Sequence, residues 1–384
     1  MKFRQRLVMT LMFLLSLISL MTYLATIGRR YVNIFEYITF DQQPNVLINL
    51  EHIVSDRKYQ NRSTKEIGVL GTEAIGKWFG DFTCFSSGEP VRVIQSPDYR
   101  RLSNCEALFL VAGQNIPWTT LIRNRPHGQI WIFMSFESPS NTNYNYDVIL
   151  SHINWTFTYL SDATFPSPYG AYYLTSQTAP NQGQNLTTND WAKSKTALVC
   201  AVVSNCHDSW GRLETIKELA KYISTDLYGA CGKKPCKHDK SCNEMLSKYK
   251  FYLAFENSIC NDYITEKFWY NALAFDIVPI VYGARPDDYK RSAPPNSYIH
   301  VEEFSSLKAL ADYLIYLDKN DELYNQYFEW KINGYIKPNF LAEHYEPNIT
   351  MCRILEKLNK LNDTKNIPDT HNKEEIISWL HSCR

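Results

Sequence analysis

Residues Tyr249 to Gly283, YKFYLAFENSICNDYITEKFWYNALAFDIVPIVYG, read as strand, polar loop, helix and strand. Phe251 to Phe255 form a short apolar run of the kind that fills a strand buried on both faces. Glu256 and Asn257 follow at its carboxyl end, where open α/β sheets place their ligands. Thr265 is a natural N-cap for a helix opening at Glu266-Lys267. A lysine in the first turn, beside unpaired backbone N–H groups, suits a diphosphate. Ile277 to Tyr282 is the next buried strand, so the segment is half of a nucleotide-binding sheet.

The same residues resemble the α1,3-fucosyltransferases, which use GDP-fucose. FYLAFEN, DYITEK, a helix and then VPIVYG form that family's signature. The likeness continues through GARPDDY, APPNSYIHVEEF and Leu307–Trp330, where it is closest to invertebrate members. Weaker islands lie upstream, in WIFMSFESPSNT (Trp131–Thr142), WTFTY (Trp155–Tyr159), PYG (Pro168–Gly170) and VVSNCHDSWGR (Val202–Arg212). The resemblance implies an α/β protein of the GT-B class, with two Rossmann-like domains facing a cleft. It implies an acceptor-side domain over 66–180, a GDP-fucose-binding domain over 190–340 and a tail over 341–384. The helical stretch Thr350–Leu361 is expected, by analogy, to pack on the first domain.

The N-terminus is read from its own residues. Leu7 to Ile27 is 21 residues without a charge, enough to span a bilayer as a helix. Lys2, Arg4 and Arg6 precede it and favour a cytoplasmic N-terminus. The expectation is a cytoplasmic tail over 1–6, a signal anchor over 7–27 and a polar stem over 28–65. A cleaved signal peptide is the alternative, but its apolar core would span only about 7–15 residues. Together with the resemblance, this points to a single-pass type II protein of the Golgi membrane with a luminal catalytic part.

Composition excludes other classes. Forty basic and forty acidic residues balance, and no basic block suggests a nucleic-acid partner. Ten cysteines fit an oxidising lumen, and their even number permits complete pairing without setting the connectivity. Cys231, Cys236, His238 and Cys242 could be drawn as a zinc site, but disulfides are the expected state in that compartment. The family's C-terminal C-x-x-C appears here as Cys352-Arg353-Ile354-Leu355, without its second cysteine. Five N-x-S/T sequons begin at Asn61, Asn154, Asn185, Asn348 and Asn362, and Asn154 lies in an expected strand that would occlude it. The polar stretch NQGQNLTTN, Asn181 to Asn189, reads as a linker.

Further strands are expected at Ile67–Leu70, Val91–Ile94, Ala107–Val111, Gln129–Met134 and Ala197–Ser204. A helix is expected over Arg212–Ile223, with Leu213, Ile216, Leu219 and Tyr222 on one face.

No D-x-D triplet occurs, so the donor diphosphate falls to cationic side chains, with no structural metal expected and a Mn²⁺ effect on rate left open. Lys267 and Arg212 are the candidates, the latter because a guanidinium binds phosphate oxygens in bidentate fashion. The resemblance assigns Tyr263, Glu266 and Lys267 to the donor. Thr265, Glu256, Asn257, Ser204 and Asn205 border the same pocket, as ligands or as shapers of its loops. Tyr263 and Lys267 would share one side of a helix that started early. Sugar transfer with inversion needs a base for the acceptor hydroxyl, and a carboxylate within reach supplies it most simply. Glu137 ends the run IWIFMSF and is expected to be partly desolvated, which would raise its basicity. It also falls in the family's ESP motif, where the proposed base lies. A departure from the family is Leu160, in a position that often holds arginine.

The expected activity is transfer of L-fucose from GDP-fucose to O3 of a GlcNAc on a glycan, either the N-glycan core or an outer LacNAc-type unit. The alternatives are a non-catalytic luminal glycan-binding protein on the same scaffold, or an enzyme with a different sugar nucleotide.

Overall fold

The computed structural model describes residues 64–71, 80–84, 87–113, 116–142, 151–175, 189–207, 210–232, 235–236, 239–338, 347–364 and 373–384. The expected tail and anchor over 1–27, and nearly all of the stem and the linker, lie outside them. Among the described residues no helix is long and apolar enough to cross a membrane. Residues from Arg62 to Arg384 form one compact unit.

Two sheets organise that unit. The first runs in the order β2-β3-β1-β4-β5-β6-β7. Its strands are β1 (Lys65–Leu70), β2 (Gly80–Thr83), β3 (Pro90–Ser96), β4 (Ala107–Val111), β5 (Ile130–Ser135), β6 (Trp155–Thr158) and β7 (Phe165–Pro166). All pairings are parallel except that of the edge strand β2 with β3. A ribbon strand, β8 (Gly170–Leu174), follows. The second sheet contains β9 (Ala197–Val202), β10 (Thr225–Tyr228), β11 (Tyr249–Phe255), β12 (Val278–Tyr282) and β13 (Ile299–His300). Its order is β10-β9-β11-β12-β13, parallel throughout. The chain steps from β9 outward to β10 and then back across to β11. The strand order therefore reverses between β9 and β11, which makes their carboxyl ends a topological switch point.

Burial explains the strands. Every residue of β5 and of β11 is buried, as a central strand covered on both faces requires. The helix Leu307–Asp318 covers one face of the second sheet with Leu310, Ala311, Leu314 and Leu317. The helix Pro347–Thr364 covers the first sheet, placing Met351, Ile354, Leu355 and Leu358 against Ile67, Val69, Phe109 and Ile132. The tail thus packs where analogy suggested. Cys352 fixes it there through a disulfide to Cys84, although the C-x-x-C partner is missing.

The other disulfides are Cys206–Cys231, Cys236–Cys242 and Cys260–Cys383. Cys231, Cys236 and Cys242 are therefore spent in bridges rather than on zinc. Pairing is not complete, because Cys105 and Cys200 are buried free thiols. Burial pushes the Cys105 thiol up to about 11 and that of Cys200 well above its ordinary value.

The helix at Arg212 ends at Leu219, one turn short of the expectation. Tyr222 is consequently exposed, and Ile223 takes the buried place. The ribbon pairs β8 with β14 (Gly334–Pro338) in antiparallel register. Gly170, which opens β8, lies against Trp269: a Cβ there would meet the indole at 2.4 Å. Only glycine permits that approach.

Candidate active site

The loops after β5, β6, β9 and β11 carry the candidate residues. After β11 the chain turns through Glu256, Asn257 and Ser258. Glu256 is 0 % exposed. Its carboxylate accepts from the Thr265 N–H at 2.8 Å and from Thr265 Oγ1 at 3.0 and 2.7 Å. Lys267 Nζ stands 3.1 Å away and 3.0 Å from Glu266. Lys267 Nζ also donates to Thr265 Oγ1 at 2.9 Å. Burial pushes the Glu256 carboxyl above its usual range, against the pull of Lys267. Burial acts the same way on Glu266, but Lys267 outweighs it and holds that carboxyl low. The ammonium is desolvated too, yet the two carboxylates keep it charged well above its ordinary value. Gly283 underlies this cluster: its φ is +145°, and a Cβ would meet Glu256 Cβ at 2.7 Å.

The helix that Thr265 caps is only Glu266–Trp269, and a separate 3-10 turn, Leu273–Phe275, follows. Thr265 Oγ1 accepts from the Lys267 N–H. With four residues the helix has little dipole to offer a diphosphate. Tyr263 lies before it rather than sharing a face with Lys267. It turns instead to the other sheet and donates to Glu137 Oε2 at 3.0 Å. Burial, reinforced by Tyr169 and Glu137, keeps the Tyr263 phenol protonated. Asn257 Nδ2 donates to the same Glu137 oxygen at 3.3 Å. The Asn257 Oδ1 is buried without a donor among the described residues.

Glu137 itself is exposed, so the desolvation expected for it is absent. Its β5 strand is buried, but the chain leaves the sheet at Phe136 and lifts the carboxylate into solvent. What fixes it is hydrogen bonding from the opposite sheet.

Arg212, a candidate for the donor diphosphate, turns inward. It is buried, and its guanidinium donates to Asn205 O at 2.7 Å and to Phe255 O at 3.4 Å. It ties the loop after β9 to the end of β11. Ser204 and Asn205 are exposed on that loop, and Asn205 Oδ1 accepts from the His207 N–H. Trp210 closes the same side: its Nε1 donates to Glu256 O at 3.1 Å and its ring packs edge-on against Tyr282.

Further links across the two sheets had no signal in the sequence. Tyr159 packs on Tyr263 with ring centroids 4.8 Å apart. Ser161 donates from N and Oγ to Asp262, at 3.0 and 2.6 Å. Leu160, at the position where the resembled family often has arginine, is buried. Ser138 and Ser258 hydroxyls meet at 2.7 Å. Together these bring Glu137, Asn257, Tyr263, Thr265, Glu256, Glu266 and Lys267 into one connected group, with Arg212, Ser204 and Asn205 along its β9 side.

Known proteins resemble this chain over both halves. The family described as "Fucosyltransferase, N-terminal" matches residues 83–170, and "Glycosyltransferase family 10 (fucosyltransferase) C-term" matches residues 192–373. The chain is 42 % identical over 290 residues to a Glycoprotein 3-alpha-L-fucosyltransferase A of Drosophila melanogaster, covering 75 % of this chain and 52 % of that protein. It is 41 % identical over 207 residues to the human 4-galactosyl-N-acetylglucosaminide 3-alpha-L-fucosyltransferase FUT5, covering 54 % of this chain and 53 % of that one. It thus spans about half the length of these two relatives. A crystal structure of an alpha1,3-fucosyltransferase shares the fold, with a TM-score of 0.52 at 16 % identity over 81 % of this chain and 92 % of that one. With both halves of the family pattern present in order, on a pair of sheets joined at their carboxyl ends, the chain belongs to glycosyltransferase family 10 (fucosyltransferase).

Proposed function

We propose that this protein is an inverting α1,3-fucosyltransferase of the GT-B class. It moves L-fucose from GDP-fucose to O3 of a GlcNAc on a glycoprotein glycan. The relatives' names support the linkage and the acceptor sugar. The observation that carries the reading is the placement of Glu137. It projects from one sheet and is held by Asn257 and Tyr263 of the other, beside the Lys267 cluster.

In this reading the acceptor O3–H loses its proton to the Glu137 carboxylate as O3 bonds to fucose C1. The C1–O bond to the diphosphate breaks on the opposite face, and GDP leaves with the electron pair. A base aligned before the reaction lowers the barrier through general-base catalysis, worth about 10²–10⁴-fold. Lys267 meets the diphosphate charge, while Arg212 holds the loop carrying Ser204 and Asn205 against the donor. Domains over 66–180 and 190–340 would take acceptor and donor respectively, and residues 7–27 would anchor the protein in the Golgi membrane. Among the described residues no group of three or more His, Cys, Asp or Glu side chains could hold a metal ion.

Two observations favour a second reading, a luminal glycan-binding protein without turnover. Lys267 is already paired with two carboxylates, and Leu160 is buried where the family often has a cation. The test is GDP release by the 28–384 fragment with GDP-fucose, on core N-glycan and LacNAc acceptors, with UDP sugars as controls. Acceptor-dependent release that Glu137→Gln reduces about 10²-fold or more, with GDP affinity kept, is the expected result. GDP binding without turnover on either acceptor would favour the second reading.

A further inference from the structure

Although Glu137 is exposed, its main chain is held at three successive carbonyls. Tyr169 OH donates to Phe136 O at 2.6 Å, Ser135 Oγ to Glu137 O at 2.9 Å and Thr142 Oγ1 to Ser138 O at 2.7 Å. Of these, all but the Tyr169 contact come from the loop's own neighbourhood. A fourth hold reaches across to the donor-side sheet. Ser138 Oγ and Ser258 Oγ lie 2.7 Å apart, and both residues are 0 % exposed. Asn141 Nδ2 donates to Ser138 Oγ at 3.1 Å and to Ser258 Oγ at 2.7 Å. Hydroxyls shut away from water must find partners inside the protein. Here one hydroxyl donates to the other, and the amide donates to both.

The neighbours of Ser258 give this contact its meaning. Glu256 pairs with Lys267, Asn257 donates to the Glu137 carboxylate, and Ser258 holds the loop carrying that carboxylate. Three consecutive residues therefore touch the donor cluster, the base and, through the side chains of Ser138 and Asn141, the loop that carries the base. We propose that Ser258 is a positioning residue for the transfer reaction. Acting with Ser138 and Asn141, it latches the Glu137 loop to the donor-side loop, so that the carboxylate stands in register with the donor. The inference rests on the fucosyltransferase reading and adds to it a residue that touches neither substrate.

Ser258→Ala removes the latch while leaving Glu256, Asn257 and Lys267 intact. It is expected to lower kcat about tenfold or more, because displacement of a reacting group by about 1 Å costs up to 10²-fold. KM for GDP-fucose and the dissociation constant of GDP should stay within about twofold, since the donor contacts persist. Ser138→Ala, on the opposite loop, should reproduce the effect, and the double variant should be no worse than either single one. Unchanged kcat in both single variants would overturn the proposal. So would losses that multiply in the double variant, or a fall in GDP affinity matching the fall in kcat. If the wild type turns over no GDP-fucose, the fucosyltransferase reading fails on its own. Hydrogen exchange of the GDP-bound protein then tests the latch. Ser258→Ala should speed exchange across residues 136–142, and unchanged exchange there would sink it.

Discussion

At the scale of single residues, the site depends on Glu256. A carboxylate with no exposure costs several kcal/mol to desolvate, and a facing cation with hydrogen-bond donors has to compensate. Lys267 and Thr265 supply both. Lys267→Ala is therefore expected to do more than weaken donor binding. It leaves a buried charge alone and should cost roughly 3–5 kcal/mol of stability. Urea unfolding and GDP calorimetry on the same variant separate the two losses. A variant that binds GDP poorly but unfolds at the wild-type midpoint would show that the pair does not hold the loop. Most of these residues were legible in the sequence, because strand ends and a capping threonine mark where ligand-facing side chains must fall. Their partners were not. Ser138 and Ser258 lie 120 positions apart, and no periodicity or composition joins them. Nor could the pattern reveal that Arg212 turns inward to two backbone carbonyls.

At the scale of elements, apolar runs predicted the buried strands well, since β1, β4, β5, β11 and β12 owe their form to burial alone. The ribbon of β8 and β14 escaped notice. Tyr173 and Tyr335 stack on each other while exposed, so neither strand shows a core-facing run. The length of the helix at Arg212 was also overestimated, because apolar residues continue past the point where its backbone turns away. The start of β6 yields a prediction of its own. Asn154 has the form of a glycosylation site, yet it is buried. Its Oδ1 accepts from the Trp131 N–H at 2.9 Å and from Arg125. It joins β5 to β6 by replacing a main-chain partner. Mass spectrometry of the secreted fragment should find Asn154 unmodified. Asn154→Ala should cost about 1–3 kcal/mol, because a buried N–H loses its acceptor. A glycan at Asn154 in the folded protein would refute this role.

At the scale of the whole molecule, two long-range disulfides fasten distant parts of the chain. Cys84–Cys352 closes 268 residues and Cys260–Cys383 closes 123. Loss of either is expected to cost about 2–5 kcal/mol. Their effects on the site should differ. Cys84→Ser loosens the helix Pro347–Thr364 from the first sheet, far from the donor, and should leave GDP affinity nearly intact. Cys383→Ser frees the donor-side loop, where Asn261 N–H donates to Ser382 O and Arg384 N–H to Ile259 O, and should lower GDP affinity together with Tm. Equal effects on GDP affinity would contradict that division. Residues 382–384 thus form part of the wall that carries Asn257 and Tyr263. For a chain that leaves the ribosome N-terminus first, this fixes an order of assembly. Both sheets are complete in sequence by His300, but the loop between β11 and Thr265 must wait until residue 383 emerges to be fastened. Nascent protein would then bind the donor weakly until residue 383 emerges, and competence would arrive with oxidation of the Cys260–Cys383 pair.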